Sequence, residues 1–511
     1  METFVLKAKP LDMETGRNIV VIHESDSQEI GHFPGDRIKL TTETKTLVAI
    51  ANETKKLVQP GELGSFVEVT ESMSLKPGDL VTVGVASRPR SVVSIKKKMS
   101  GEKLVPDEIL SIVSDIVDGN LSTTEMTAFV VSEYIRDMDI EEIVALTRSM
   151  VDTGEKIDFD NKLVLDVHSI GGVPGNKYSL VVVPIVAAGG LLVPKTSSRA
   201  ITSAAGTADV MEVLASVNLG IDEIKRNVNK VGAVLAWGGA VNLAPADDII
   251  ITTEHQLGID PRCQLLASVM SKKLAAGANN ILIDIPTGPG AKVEHIDEAR
   301  NIAHDFIELG HKLKVQVEAA VTYGGQPVGH TIGPALEAKE ALETLKGNGP
   351  GSLVEKSLSL AGAMLELGGI AAPGMGREMA NEILKSGKAY QKMREMINAQ
   401  GGNPDIRTED ITIGSKKETI LAPYSGYVTQ IYNRRINEIA RAAGSPRDKG
   451  AGIKMLRKKE GKVKKGEPLF EIYAEHESKL SEAIKIAKRN LPIKIEGMLL
   501  EKLTHRPRVM G

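Results

Sequence analysis

Leu163-Val164-Leu165-Asp166-Val167-His168-Ser169-Ile170-Gly171-Gly172-Val173-Pro174-Gly175-Asn176-Lys177-Tyr178-Ser179 runs from an apolar strand through a glycine-rich turn toward the apolar stretch Val181 to Val193. That stretch contains Pro184, Gly189 and Gly190 and falls short of the roughly 20 residues a membrane helix needs. It reads as a buried helix followed by a strand. A further apolar run, Ile281-Leu282-Ile283-Asp284-Ile285, repeats the pattern. Apolar strands alternating with glycine-rich loops and helices from Lys162 onward predict an α/β sheet.

Outward from this core the period changes twice. On the N-terminal side, Pro106-Asp107 opens a helical run of Ile109, Leu110, Ile112, Val113 and Ile116. Ser122-Thr123-Thr124-Glu125 and Asp139-Ile140-Glu141-Glu142 have the spacing of further helix caps. Residues 1–84 instead carry short apolar runs (Phe4-Val5-Leu6, Ile19-Val20-Val21-Ile22, Phe66-Val67-Glu68-Val69) between Gly and Pro turns, and predict a small all-β domain. Phe33-Pro34-Gly35-Asp36-Arg37-Ile38 and Lys76-Pro77-Gly78-Asp79-Leu80-Val81 form a weak internal repeat, each placing a turn before a strand. The pair resembles the duplicated halves of a double-psi β-barrel. Residues 421–511, with Gly426-Tyr427-Val428-Thr429-Gln430-Ile431 and Lys465-Gly466-Glu467-Pro468-Leu469-Phe470-Glu471-Ile472, read as a separate α+β lobe.

Composition narrows the function. A formal net charge of -3 provides no electrostatic footprint for nucleic acid or an anionic membrane surface, so any phosphate recognition is local. Aromatics are 3% with one Trp, Trp237, too few for base-stacking platforms. One cysteine, Cys263, precludes an intramolecular disulfide framework, and Met1-Glu2-Thr3 opens no signal peptide; the expected location is the cytoplasm.

Two loops suit an oxyanion. Glycines in 166–179 let backbone N–H groups approach an anion, and a helix N-terminus follows; a tight strand-to-helix connection is the plainer alternative. The second loop, Pro194-Lys195-Thr196-Ser197-Ser198-Arg199-Ala200-Ile201-Thr202-Ser203-Ala204-Ala205-Gly206-Thr207-Ala208-Asp209-Val210-Met211-Glu212, concentrates hydroxyls, Lys195 and Arg199 among small residues. Its stretch Ser197-Ser198-Arg199-Ala200-Ile201, then Ala204-Ala205-Gly206-Thr207, Asp209 and Glu212, resembles the signature of the thymidine and pyrimidine-nucleoside phosphorylases, with Met211 a mild departure. His168-Ser169-Ile170-Gly171-Gly172-Val173 is similar to that family's other phosphate loop. Asn433-Arg434-Arg435 with Ala442-Ala443-Gly444-Ser445-Pro446-Arg447-Asp448-Lys449-Gly450-Ala451-Gly452-Ile453 is similar to its C-terminal lobe.

The resemblance implies a helical lobe of 85–148 completed by about 245–275, an α/β phosphate-binding lobe of 162–420, the lobe 421–511, and an active cleft between the first two. Ser169, Ser179, Ser197 and Thr207 would hold inorganic phosphate as co-substrate, with His168 near ribose and phosphate. Three departures bear on substrate: Val167 replaces a phosphate-site lysine, Thr253-Glu254 stands where pyrimidine enzymes carry a base-binding arginine, and Ala200-Ile201-Thr202-Ser203 replaces a Gly-Leu-Gly-His-like stretch. These features, with the N-terminal β extension, resemble the archaeal AMP phosphorylase branch. Its reaction is AMP plus phosphate to adenine plus ribose 1,5-bisphosphate, with CMP and UMP as further expected substrates. The implied substrate set is Gly172, Ser198, Arg199, Ala200, Ile201, Thr202, Ser203, Thr207, Ser268 and Lys292.

Ile259-Asp260-Pro261-Arg262-Cys263-Gln264-Leu265-Leu266-Ala267-Ser268-Val269-Met270-Ser271-Lys272-Lys273 reads as a helix capped by Asp260 with Pro261 in its first turn. Asp260, Gln264, Ser268 and Lys272 recur every four residues on one slowly drifting face. From spacing, Asp260 is an N-cap. By family position Asp260 would donate a proton to the departing base, which phosphorolysis leaves negatively charged, while Ser268 and Lys272 line the base-binding wall. That role calls for a raised pKa, expected from burial on lobe closure. Lys292 in Thr287-Gly288-Pro289-Gly290-Ala291-Lys292 is read as a phosphate contact or a solvated loop lysine, and Cys263 as a small buried hydrophobe.

No cofactor and no metal are expected. The implied partner is a second copy of the chain, a homodimer assembling further through the N-terminal domain. Competing functions are a pyrimidine-nucleoside phosphorylase, a phosphoribosyltransferase, and a carrier or adaptor. The last rests on Gly452-Ile453-Lys454-Met455 with Lys465-Gly466-Glu467-Pro468, which is similar to the modified-lysine hairpin of biotinyl and lipoyl domains.

Overall fold

Pro-Gly-Asp recurs because each copy builds the same turn. Asp36 accepts a hydrogen bond from the Phe33 N–H at 2.9 Å and Asp79 one from the Lys76 N–H at 2.7 Å. The intervening glycines take φ of 90° and 89°, a left-handed conformation costly for a side chain. Gly35 and Gly78 then donate to Ala51 and Ala8 of distant strands, each at 2.8 Å. Six strands close around these turns: β1 (Phe4–Pro10), β2 (Ile19–His23), β3 (Arg37–Thr41), β4 (Thr46–Thr54), β5 (Glu62–Ser65) and β6 (Leu80–Val85), in barrel order β1-β5-β2-β4-β3-β6. The alternating apolar positions of these strands fill the interior, with Val20, Ile22, Ile38, Leu40, Leu63, Val81 and Val83 fully buried. The barrel is not purely β. Phe66 to Val69, read as a strand, is the entry to the helix Val67–Met73, and Glu24–Ile30 is its counterpart.

The structure, a computed structural model, describes residues 4–160, 162–200 and 203–499. Ile201 and Thr202 of the expected substrate loop lie outside the described residues. The chain divides into two compact units, 1–154 with 244–271, and 155–243 with 272–511.

In the first unit the barrel joins the helices Ser91–Met99, Pro106–Val117, Thr123–Arg136, Ile140–Asp152 and Pro245–Leu257. The expected caps form: Ser122 and Glu125 bond reciprocally at 3.3 and 2.9 Å, and Asp139 and Glu142 at 2.9 and 3.1 Å. Arg37 of the barrel pairs with Glu125 of the helical bundle. A helix, Arg262–Ala275, crosses from the first unit into the second.

The second unit holds parallel strands β7 (Leu165–Ser169), β8 (Val193–Ser197), β9 (Ala233–Trp237), β10 (Asn280–Thr287) and β11 (Gln316–Tyr323). β7 pairs β10 and β10 pairs β11, while β8 pairs β9, and a parallel bridge from Val164 to Leu192 joins the two ladders. The order is therefore β11-β10-β7-β8-β9, and the chain reverses its direction of travel across the sheet at β7. Open α/β sheets bind ligands at such a switch point, beyond the carboxyl ends of the strands. The expected buried helix and strand appear as Ser179–Ala188 and β8, and Val181 to Val186 are fully buried.

The C-terminal part of this unit forms two antiparallel sheets from β12 (Thr331–Ile332), β13 (Lys416–Leu421), β14 (Gly426–Ile431), β15 (Gly452–Met455), β16 (Lys462–Val463), β17 (Pro468–Ala474) and β18 (Ile493–Glu496), ordered β12-β15-β17-β13 and β16-β14-β18. Lys454 lies inside β15, which is hydrogen-bonded on both edges. A modifiable carrier lysine must project from a hairpin tip, so the carrier reading of this segment does not hold.

Candidate active site

The phosphate-type loops leave the carboxyl ends of β7, β8 and β10. Gly172 shows why two of them can meet. Its φ is 88°, and a Cβ built there would stand 2.5 Å from the Lys292 backbone nitrogen, so only glycine lets the 170–176 and 288–293 turns touch. His168 and Ser169 end β7, and Asn176 donates to the Ser169 hydroxyl at 3.1 Å. Ser179 begins the following helix, 1% exposed, and its hydroxyl has no hydrogen-bond partner among the described residues. Asn176 Oδ1 and Thr287 Oγ1 are likewise buried and unpartnered. A buried polar atom without a partner costs about 1–3 kcal/mol, and these three lie on the loop and helix after β7 and at the end of β10.

The 197–207 loop is held by carboxylates. Asp209 accepts from the Ala200 and Gly206 N–H groups at 2.7 and 3.0 Å. Arg199 places its guanidinium on Glu212 at 2.5 and 2.7 Å and over the Trp237 ring at 4.8 Å. Lys449 reaches the same Glu212 at 2.6 Å. Arg199 first, and Lys449 after it, draw the Glu212 carboxyl down to about 2, so it is ionised at any working pH. Arg441 and Asn437 brace Ser203 and Ala204 from the C-terminal part. Ser198 is exposed, Ser197 half-buried, and Thr207 opens the short helix Thr207–Met211.

Beneath β7 and β8 lies a group the sequence reading passed over. Asp166, fully buried, accepts from Lys273 at 2.7 Å and faces Lys195 at 3.7 Å. Both ammonium groups also donate to the Thr196 carbonyl, at 3.1 and 2.9 Å. Burial outweighs Asp166 here and, with the Lys273 charge, brings Lys195 down to about 7. Burial, then the charges of Lys273, Lys195, Lys272 and Lys292, hold the His168 imidazole well below 6.5, so it is neutral at pH 7. Val167 itself is a core residue, and the cations facing Asp166 come from β8 and the Arg262–Ala275 helix. The signal was available: a charge inside an apolar strand, and a doubled lysine on an apolar helix. Lys177, by contrast, is spent on Val328, Thr331 and Glu340.

Asp260 and Ser268 belong to the first unit. The helix starts at Arg262, its first turn closing from Leu265 N–H to the Pro261 carbonyl at 2.9 Å. Asp260 is therefore one residue outside the expected cap position, and it is exposed. Nor is the four-residue stripe one polar face: Gln264 is buried and bonded to Asp247 at 3.3 Å. Cys263 is buried, and burial pushes its thiol well up, leaving it un-ionised.

Glu254, in place of an arginine, is buried near Glu133, whose two carboxylate oxygens have no hydrogen-bond partner among the described residues. Burial, then the Glu254 charge, push Glu133 well above 4.5. A carboxyl raised on folding stabilises the native state fully below its unfolded pKa and loses that stability as pH rises through the folded value. Glu133→Gln is accordingly expected to flatten the fall in melting temperature between pH 5 and 8, measured by calorimetry.

Among the described residues, one trio has metal-ligand spacing, Asp448, Glu475 and His476. Asp448 is engaged by Lys479 at 2.7 Å and Glu475 by the Gly450 N–H at 2.8 Å. No helix among the described residues is long and apolar enough to cross a membrane.

Family models agree with this layout: a glycosyl transferase family α/β domain matches 161–390, its helical bundle domain 93–154, and a pyrimidine nucleoside phosphorylase C-terminal domain 427–494. An AMP phosphorylase of Thermococcus kodakarensis is 56% identical over 501 residues, 97% of this chain and 99% of the relative. The chain belongs to the AMP phosphorylase family. Other members include the AMP phosphorylase of Methanococcoides burtonii, 50% identical over 98% of each chain, and AMP phosphorylase 1 of Archaeoglobus fulgidus, 51% identical over 97% and 98%. The anthranilate phosphoribosyltransferase structure from Thermus thermophilus matches with a TM-score of 0.51 at 21% identity, over 60% of this chain and 99% of that one, a likeness of fold. Within the AMP phosphorylase family, the glycine contact at 172 and the carboxylate-held loop at 197–212 are the geometry that its signature residues build here.

Proposed function

We propose that the protein cleaves the N-glycosidic bond of AMP with inorganic phosphate, releasing adenine and ribose 1,5-bisphosphate, and that CMP and UMP are also substrates. The carrying observation is the 56% identity to an AMP phosphorylase over 97% of the chain, supported by the buried, unpartnered Ser179 hydroxyl on the helix after β7 and by the lysine charges that reach His168. Ser169, Ser179, Ser197 and Thr207 hold the attacking phosphate. Neutral His168 serves ribose and phosphate as a hydrogen-bonding group rather than a cation. The 198–203 segment, with Gly172 and Lys292, takes the 5′-phosphate; Ser268 and Lys272 serve the base side. Asp260 protonates the leaving base as the ribose becomes oxocarbenium-like. Phosphate is a co-substrate, lysines balance its charge, and no metal or cofactor takes part.

The enzyme works in the cytoplasm as a homodimer that assembles further through the barrel. In support, Val5, Phe33 and Leu80 on the barrel and Val93 and Ile135 on the helices are large apolar side chains left exposed. Light scattering on Phe33→Glu/Leu80→Glu tests this: a particle of unchanged mass rules the barrel out as the assembly surface.

Phosphate-dependent release of free base from AMP, CMP, UMP, adenosine and thymidine tests the reaction. Release from monophosphates alone is the expected result. Release from nucleosides instead rejects the 5′-phosphate role of the 198–203 segment.

A further inference from the structure

Lys195 and Lys273 share one carboxylate and one carbonyl inside the protein. Both lysines are at most 4% exposed as side chains, Asp166 is fully buried, and the Nζ to carboxylate separations are 3.7 and 2.7 Å. Two ammonium groups against one carboxylate leave a surplus positive charge in a low-dielectric site, an arrangement that is costly until a further anion arrives. The charge sits on β8 two residues before Ser197, and its field reaches His168 beside Ser169. The surplus is therefore located where the phosphate loops begin.

We infer that Lys195, sharing Asp166 and the Thr196 carbonyl with Lys273, gives up its proton readily while no anion is bound and takes one up from solvent as the phosphate dianion enters, so that anion binding and proton uptake are one coupled event. The inference rests on the phosphate-site reading above and adds its charge balance: a neutral amine plus one proton gives the ammonium that neutralises the incoming anion. Asp166 on β7 and Lys273 on the helix face Lys195, and the charges of Lys273, Lys195, Lys272 and Lys292 reach His168. His168 does not compete, because it is already neutral at pH 7. The pull of burial on Lys195, to about 7, puts the exchange in the physiological range.

Phosphate itself titrates near neutrality, so sulfate, a dianion throughout, is the probe. Calorimetric titration of the full chain with sulfate at pH 8, in buffers of different ionisation enthalpy, is expected to show uptake approaching one proton per site. The sulfate Kd is expected to weaken up to about tenfold per pH unit above pH 7. Lys195→Arg, charged at every pH, should bind without proton uptake and with a flat pH profile. Partly buried Lys458, at about 8, is another lysine brought into this range; uptake that survives in Lys195→Arg would belong to a group other than Lys195 and overturn the inference. Sulfate binding without uptake in the wild type overturns it too, leaving the phosphate site standing. Absence of binding by both sulfate and inorganic phosphate rejects the site itself, and the inference with it.

The same lysine acts on stability with the opposite sign. Its folded pKa lies below the ordinary 10.5, so between about 7 and 10.5 the unfolded chain binds more protons and apo stability rises with pH. Sulfate protection against thermal unfolding should shrink over the same interval, and protection that grows with pH contradicts the coupling.

Discussion

Asp260→Asn is expected to slow phosphate-dependent base release from AMP by roughly 10²–10⁴-fold, the usual contribution of a positioned general acid, or about 3–5 kcal/mol of transition-state stabilisation. Asparagine keeps the shape and the hydrogen-bonding capacity of a helix-start residue but has no proton to give. The loss should fall on kcat while sulfate affinity stays at the wild-type value. It should also shrink as the leaving base becomes a weaker base, since a good leaving group needs no proton. A helix-start role predicts otherwise: a lower melting temperature and equal losses across bases. Asp260 is exposed in this structure, so the acid role requires water to be displaced around it when substrate binds, and single-turnover measurements report that step.

Asp166→Asn removes the carboxylate that Lys195 and Lys273 share. Breaking one member of a buried ion pair costs about 3–5 kcal/mol, a drop in melting temperature on the order of 10 °C for a unit of this size. The cost should be largest below pH 7, where Lys195 is charged, and should ease as rising pH lets Lys195 deprotonate. Calorimetry from pH 6 to 9 checks this. A uniform loss across that range would mean that packing, not charge, is what Asp166 supplies. The same variant should bind sulfate more tightly at pH 6 than the wild type does, because the surplus charge has grown.

Much of the architecture was legible where local chemistry acts alone. The Pro-Gly-Asp repeat forecast two turns because aspartate bonds its own backbone and glycine tolerates a left-handed φ. Ser122 and Asp139 forecast helix starts because capping boxes close within four residues. The 197–212 signature pointed to the family, which the relatives bear out, because small residues, hydroxyls and paired charges have few other reasons to be so close. Phe66 to Val69 misled: alternating apolar residues suit a strand or a short helix equally, and barrel closure chose the helix. The carrier alternative at Lys454 fails because the run Gly452-Ile453-Lys454-Met455 says nothing about whether β12 and β17 will cover both edges of its strand.

By itself the sequence determined the alternation of strand, loop and helix, the family signature, and the glycines without which the loops could not approach. The alternation and the signature are set by residues near one another in the chain, whereas the glycines act at a distance, as where Gly172 meets Lys292. Only the tertiary structure decided which charges share a site. Asp166, Lys195 and Lys273 are separated by tens of residues, and nothing in their spacing announces that they meet. The protonation of Lys195 depends on burial and on the other two charges, and both arise only when β7, β8 and the 262–275 helix pack together.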